Sequence, residues 1–157
     1  MTGGAPIRDL HVIARVGSER FAFAVADVEE AIDRPALEWV PAAPPGLAGQ
    51  MRHRDRTLTA FDAGWAFGVA RDGTASTALV LRVGDRRAVL VVDDVDDLTA
   101  LDVTTLRPAP AGSDADGVLA GVCVGARHDG QLVNLVRVAT LLEKAAATAP
   151  MTTESAR

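Results

Sequence analysis

The sequence of 157 residues is poor in several residue types, and each shortage argues against a class of protein. Its one cysteine, Cys123, has no partner for a disulfide within the chain. Aromatic residues make up 4% and tyrosine is absent, whereas small barrels that bind single-stranded nucleic acid stack the bases on aromatic side chains. No apolar run reaches the roughly 18 residues of a membrane-spanning helix, and MTGGAPIRDL lacks the features of a secretory signal. We therefore expect a cytoplasmic protein without membrane insertion.

The charge balance points away from polyanionic partners. The net charge is −5, from 16 basic and 21 acidic residues, and gives no long-range field that would attract nucleic acid or an anionic membrane. The hydrophobic content of 48% is enough to bury a core. We therefore predict a globular protein that binds neither nucleic acid nor an anionic membrane.

Catalytic and metal-binding motifs are missing as well. No GxxxxGK[ST], GxGxxG or GxSxG segment occurs, and no histidines stand in an HxxxH or HExxH arrangement. The acidic run at residues 93–97 lacks the glycine and distal glutamate of an EF-hand loop, so helix capping and a solvated face explain it better. We predict no catalytic residue, no cofactor and no metal.

The sequence repeats itself instead. The phrase RVGSERFAFAVADV at residues 15–28 returns as RVGDRRAVLVVDDV at residues 82–95, an offset of 67, and LAG at residues 47–49 returns at residues 119–121. A chain with two such similar halves is expected to build the same unit twice.

Short β-branched and apolar runs separated by Gly, Pro and Asp predict strands. Helices are expected where an aspartate can cap the following residues: Asp27 before VEEAID, and Asp93 or Asp94 before VDDL. A last helix is predicted over VATLLEKAAA. The predicted strands are residues 11–16, 20–25, 49–54, 56–62, 78–83, 87–93, 121–126 and 131–136.

So few strands in each half predict two small closed barrels packed against each other rather than one open sandwich. We expect one domain over residues 7–144, made of two intertwined β-barrel lobes at approximately 11–75 and 76–144. Residues 1–6 and 145–157 are expected to be flexible tails.

Two long segments resemble the CheW-like chemotaxis coupling proteins. VVDDVDDLTALDVTTLRPAP (91–110) is similar to their stretch that ends in Arg-Pro-Ala-Pro, and WVPAAPPGLAGQMRHRDRTLTAFDAGWAFG (39–68) to their Pro-Pro, Gly-x-x-x-x-Arg and Asp-x-x-x-x-Phe segment. The similarity covers residues 8–143. It implies a mainly β fold of two five-stranded SH3-like barrels on a shared hydrophobic core, with short helices.

The resemblance also implies a function. Such proteins are non-catalytic adaptors that couple the cytoplasmic tip of chemoreceptors to the regulatory domain of a chemotaxis histidine kinase, in arrays at the inner membrane. A diverged CheW-like scaffold of pilus motility or another output pathway is an alternative. A third hypothesis, a small barrel enzyme or ligand binder, requires a deep polar pocket with perturbed titratable groups.

Candidate partner-binding residues follow from the family's motifs. Arg54 matches the family's arginine and Glu30 its glutamate on the first helix, and the resemblance implies that the two are linked near the receptor groove between the barrels. The alternative is a surface ion pair worth about 0–1 kcal/mol. Val28 matches a groove position, with core packing as its alternative.

The sequence departs from the family's pattern beside these positions. Asp55 replaces a glycine and could itself hold the guanidinium of Arg54, and Trp65 replaces a commonly polar residue, so both join the candidate contact residues. Thr59 replaces a proline, and Arg137 an acidic residue. These departures cluster on or beside the expected contact surfaces, so they bear on the identity of the partner more than on the fold.

Overall fold

The computed structural model describes residues 9–71, 76–110, 116–124 and 132–148. Within them the chain is mainly β, with two α-helices and two 3-10 turns at Val25–Asp27 and Val103–Thr105. The helices are α1 (Ala63–Phe67) and α2 (Val138–Thr148). The strands are β1 (Asp9–Val16), β2 (Glu19–Ala24), β3 (Val28–Asp33), β4 (Leu47–His53), β5 (Arg56–Asp62), β6 (Thr77–Val83), β7 (Arg86–Val92), β8 (Asp94–Leu101), β9 (Leu119–Val124) and β10 (Leu132–Val136).

The strands form two five-stranded sheets. Sheet 1 has the order β8-β1-β2-β10-β9 and sheet 2 the order β3-β6-β7-β5-β4. Neighbouring strands run antiparallel except β2 with β10 and β7 with β5, which are parallel. Each sheet thus takes strands from both halves of the chain. Lobe boundaries at 11–75 and 76–144 therefore do not match the sheets, because β1 and β2 join the second half and β3 to β5 join β6 and β7.

The period-two alternation of side chains along the strands explains how the core is organised. On β6, Leu79 and Leu81 point into a large cluster that both sheets share, whereas Val80 points into a smaller cluster belonging to sheet 2. On β2, Phe21 and Phe23 enter the shared cluster, and Ala22 between them points into a small cluster of sheet 1. A mainly β fold with two five-stranded units on a shared core is confirmed.

The two predicted short helices are wrong. VEEAID forms β3, which pairs with β6, and the VDDL segment lies within β8, which pairs with β1. Only the three-residue 3-10 turn Val25–Asp27 precedes β3. Both segments are the first strands in the order of their sheets, and each pairs with one neighbour there. Cross-strand pairing outweighs the helix signals in both cases.

The repeat is visible in the backbone. Gly17 and Gly84 both adopt a φ of 62° in the hairpin turns β1–β2 and β6–β7. Gly49 and Gly121, the glycines of the repeated LAG, adopt φ of 149° and 152°. At both, a Cβ would overlap a carbonyl oxygen of a passing segment, which explains why LAG keeps its glycine.

The two helices differ in length. The side chain of Asp62 accepts a hydrogen bond from Gly64 N at 2.7 Å and caps the five-residue α1. The predicted last helix is confirmed as α2, which buries Leu141, Leu142 and Ala145. Because α2 continues to Thr148, the predicted tail at 145–157 begins too early, and residues 149–157 lie outside the described part of the chain. Neither helix in the described ranges is long and apolar enough to cross a membrane.

Candidate partner-binding site

The five candidate residues lie in three places. Val28 and Glu30 are on β3, Arg54 and Asp55 form the turn between β4 and β5, and Trp65 is on α1. The first four lie near the two edges of sheet 2, whereas Trp65 lies beside α2. The contact between Glu30 of β3 and His53 of β4 brings these two edges together, so four candidates share one region and Trp65 lies apart from them.

Glu30 is held by a residue that the sequence did not single out. Its Oε1 lies 2.7 Å from Nε2 of His53, the last residue of β4. The Glu30 side chain is 44% exposed, while that of His53 is 6% exposed. Because β3 and β4 are the opposite edges of sheet 2, this contact shows that the sheet curls until its edges meet.

The implied Glu30–Arg54 link is not what the structure has. Arg54 is exposed at a φ of 59°, and within the described residues no ion pair joins it to Glu30 or to Asp55. His53 precedes the turn and points inward with Met51, so it reaches Glu30 while Arg54 points away from the sheet. Asp55 is exposed as well and does not hold the guanidinium.

Val28 combines the two roles considered for it. It is half-buried, lies opposite Leu81 in the β3–β6 ladder and packs against the shared core. Val95, its counterpart in the repeat, does the same at the start of β8. Both valines contribute to the core and keep part of their surface outside it.

An exposed apolar patch, formed by Leu10, Val25 and Leu98, was missed by sequence reasoning. These side chains are 49%, 37% and 51% exposed. Leu10 stands two residues from Val12 on β1, and Val12 lies opposite Leu98 on β8, so Leu10 and Leu98 share one face of sheet 1. Val25 follows Ala24, which pairs with His11, so Val25 comes next to Leu10 at the end of the β1–β2 ladder. The alternation of side chains along β8, DVDDLTAL, could have indicated Leu98, but the segment was predicted to be a helix.

Trp65 is a structural link between the two helices. Its ring stacks on Phe61 with centroids 5.8 Å apart, and Nζ of Lys144 lies 4.6 Å from the ring centroid. The same Nζ donates to the Ala66 carbonyl oxygen and pairs with Asp116 at 2.7 Å. Trp65 is only half-buried, and it lines one end of an open groove of about 780 Å³ between α1 and sheet 1.

The groups with shifted pKa values lie away from this groove. Among the residues that the structure describes they are Asp27, Glu29 and Cys123, and none of them lines the groove. Burial raises the pKa of the Cys123 thiol, which disfavours a reactive thiolate. Among the residues that the structure describes, no group of three His, Cys, Asp or Glu side chains could hold a metal ion.

An ordered ion pair lies next to Glu30. Glu29 occupies a bulge in β3 and receives hydrogen bonds from Arg87 at 3.0 and 3.5 Å. The Arg87 hydrogen bond holds the pKa of Glu29 below its usual range. Glu29 is therefore already paired, and Glu30 is the adjacent carboxylate that remains open to solvent.

Comparisons with known proteins agree on the fold. The model of the CheW-like domain matches residues 11–146. The crystal structure of the scaffolding protein TtCheW from Thermoanaerobacter tengcongensis superposes with a TM-score of 0.73, at 19% identity, covering 83% of this chain and 90% of that one. At that identity the likeness establishes the fold alone. No curated protein matches the sequence.

Proposed function

The chain belongs to the CheW-like domain family, and we propose that it is a non-catalytic adaptor that couples chemoreceptors to a chemotaxis histidine kinase. The two segments that resemble the coupling proteins, residues 39–68 and 91–110, carry β4, β5, α1 and the whole of β8. As part of the same proposal, the protein works in the cytoplasm, in receptor arrays at the inner membrane.

The observation that carries the proposal is the apolar patch of Leu10, Val25 and Leu98. Leu10 and Leu98 are half exposed and present apolar surface to water. A few apolar contacts of this kind usually supply most of the binding energy of a protein interface. The cytoplasmic tip of a chemoreceptor is a helix bundle, and the apolar face of a helix fits a groove of this kind. Val28 and Glu30 extend the contact onto sheet 2.

The turn between β4 and β5 is proposed as a second contact. Arg54 is exposed and, within the described residues, bonded to no other side chain, so its guanidinium is available for a carboxylate on a partner. Asp55 is proposed to tune this contact, and Trp65 is proposed to contribute to a separate surface beside α2. Recognition of receptor and kinase then uses separate surfaces of one scaffold.

The experiment is a calorimetric titration with two probes from the same organism, a soluble receptor-tip fragment and the kinase regulatory domain. We expect complexes with both at micromolar concentration. Leu98→Glu should weaken receptor-tip binding by about tenfold or more and leave kinase binding unchanged. Leu132→Glu is the matched control, because Leu132 is 57% exposed but lies on β10, away from the patch.

Flat titrations with both probes at high concentration would rule the proposal out. Equal loss of receptor-tip binding in the Leu98 and Leu132 variants would move the contact away from the patch. Arg54→Glu should reduce receptor-dependent kinase activation with a nearly unchanged melting temperature, because Arg54 makes no intramolecular ion pair in the described chain. A variant that unfolds would make Arg54 structural.

A further inference from the structure

The contact between His53 and Glu30 joins a buried histidine to a solvent-exposed carboxylate. His53 is inaccessible from outside, yet its Nε2 reaches Oε1 of Glu30 at 2.7 Å. The contact occupies one carboxylate oxygen, and the side chain of Glu30 stays 44% exposed. A partner can therefore bind the carboxylate on its open side while the histidine fixes its orientation from the inside.

We propose that His53 is a positioning residue for Glu30 and that its protonation tunes the affinity of Glu30 for a cationic group on the partner. The proposal rests on the proposed function, since it takes Glu30 as part of the partner-binding surface. A carboxylate is an acceptor only, so the partner group must be a donor, an arginine or lysine side chain. Glu30 and His53 together then form a proton-sensitive receptor for that cation.

The charge arithmetic gives the direction of the effect. With a neutral imidazole, the pair carries the charge of the carboxylate; with an imidazolium, the pair is neutral. Histidine is the side chain that changes charge between about pH 5 and 8. The attraction of the pair for a cation therefore weakens as the pH falls, and the partner binds less tightly in mild acid.

The surrounding charges leave Glu30 as the carboxylate that responds. The negative charge of Glu29 is already compensated by the hydrogen-bonded Arg87. The electrostatic attraction between Glu29 and His53 is weaker than the effect of the Arg87 hydrogen bond. On β5, Arg56 lies opposite His53 in the ladder and extends into solvent. The other charged groups of the adjoining elements are Arg52 on β4, Arg54 and Asp55 in the turn, Asp62 at the far end of β5, Asp33 on β3 and Arg82 on β6.

This arrangement also explains why Arg54 forms no ion pair with the residues that the structure describes. If Arg54 held Glu30, the pair would be neutral at every physiological pH, because a guanidinium does not lose its proton. With His53 in that role, the carboxylate of Glu30 is not paired with a permanent positive charge, and the guanidinium of Arg54 remains available for a separate contact.

The first test needs no partner. The coupling free energy between His53 and Glu30 is measured by a double-mutant cycle of His53→Gln and Glu30→Gln, from urea unfolding at about pH 6 and about pH 8. We expect a larger coupling at the lower pH, because an imidazolium attracts the carboxylate more strongly than a neutral imidazole does. A coupling that does not change with pH would overturn the inference, whatever the protein binds.

The second test uses the receptor-tip fragment at the same two pH values. Wild-type protein should bind about two- to fivefold less tightly at the lower pH, the size of a screened charge contact. In His53→Gln, which keeps a hydrogen-bond donor but cannot be protonated, this difference should vanish. His11→Gln is the control, since His11 is buried on β1 of sheet 1, and it should keep the wild-type pH dependence.

The outcomes separate the two hypotheses. If the fragment binds and the His53 variant keeps the wild-type pH dependence, His53 does not tune the contact and the inference is wrong. If the fragment fails to bind at either pH while the coupling still depends on pH, the proposed receptor contact is wrong and the proton-linked pair stands.

Discussion

The same ion pair occurs once in each sheet. Arg20 of β2 binds Asp96 of β8 at 2.8 Å, and Arg87 of β7 binds Glu29 of β3 at 3.0 Å. The repeat offset of 67 residues relates the two arginines, and it also relates Glu29 to Asp96. Both pairs join a hairpin strand to an acidic edge strand two positions away in the sheet order. The repeat has therefore preserved an interaction between elements, and not only the turns that a short phrase can encode.

The two sheets differ in how their faces are covered. The eleven-residue α2 packs on β6 and β7 of sheet 2, whereas the five-residue α1 contributes Phe67, which stacks on Phe21 of sheet 1 at 4.1 Å. Leu10 of sheet 1 is 49% exposed, while Thr77, its counterpart by the repeat offset, is 6% exposed. Sheet 1 is thus the less covered of two similar sheets, and it carries the apolar patch.

The largest predicted effect concerns a residue that only one half has. Asp93 is 2% exposed and accepts a hydrogen bond from Gly17 N at 2.6 Å, with Nη1 of Arg71 at 3.3 Å and of Arg15 at 3.9 Å. Asp93→Ala should lower the free energy of unfolding by about 3 kcal/mol, because it leaves buried donors without their acceptor.

Its counterpart by the repeat offset, Ala26, is exposed. Ala26→Asp should therefore change the free energy of unfolding by less than about 0.5 kcal/mol. Equal effects in urea melts of the two variants would mean that Asp93 does not distinguish the halves.

A second prediction compares two glycines with the same backbone conformation. Gly17→Ala should cost about 2 kcal/mol and Gly84→Ala about 1 kcal/mol, measured by urea unfolding. Both sit at a φ of 62°, which a Cβ disfavours, but only at Gly17 would the Cβ overlap a carbonyl oxygen, that of Ala70. At Gly84 nothing lies within 4 Å of the added Cβ. A costlier Gly84 variant would contradict this difference in packing.

Eight strands were predictable because their signals are local. β5 was predicted at its observed bounds, residues 56–62, and the described ends of the other seven differ from the predicted ones by at most two residues. The predicted strand residues 125–126 and 131 lie outside the described part of the chain. The glycines of the β1–β2 and β6–β7 turns are visible as the repeated Val-Gly. The helix predictions for the segments of β3 and β8 were wrong. Asp and Glu favour helix caps and helices locally, and pairing with β6 and β1 is what makes these segments strands.

The exchange of strands between halves and the partner of Glu30 were not predictable. A repeat shows that a unit is built twice, but it contains no signal for which strands pair across the middle of the chain. His53 reaches Glu30 because sheet 2 curls, and the segment between them, 23 positions from one residue to the other, carries no pattern that indicates contact. The family's arginine suggested Arg54, one residue beyond the side chain that points inward.

The third prediction concerns the repeated ion pair. Arg87→Ala and Arg20→Ala should lower the free energy of unfolding by similar amounts, because the side chains of the two pairs are exposed to similar extents. Each cost should be about 1 kcal/mol, the upper end of the range for ion pairs in contact with solvent. The pKa of Glu29 is lowered from 4.5 by the Arg87 hydrogen bond. Its contribution is therefore present above pH 4.5 and is lost as the pH falls through the lower pKa of the folded state.

Glu29→Gln should remove that part of the acid dependence of stability, measured by urea unfolding at a series of pH values. An unchanged acid limb would show that the hydrogen bond does not stabilise the ionised carboxylate in solution.

The smallest effect is expected at Asp27, which the repeat matches with Asp94. Burial raises the pKa of Asp27 above 3.8, against an opposing attraction from His11. A raised pKa means that the folded protein holds the proton more tightly than the unfolded chain, so ionised Asp27 lowers stability above its folded pKa, and this cost disappears below pH 3.8. Asp27→Asn should therefore raise the free energy of unfolding at neutral pH, by at most about 0.5 kcal/mol, and leave it unchanged in strong acid. Asp94 is exposed and accepts a hydrogen bond from Val95 N, so Asp94→Asn should give no such gain, and a gain in both variants would trace the effect to net charge instead of burial.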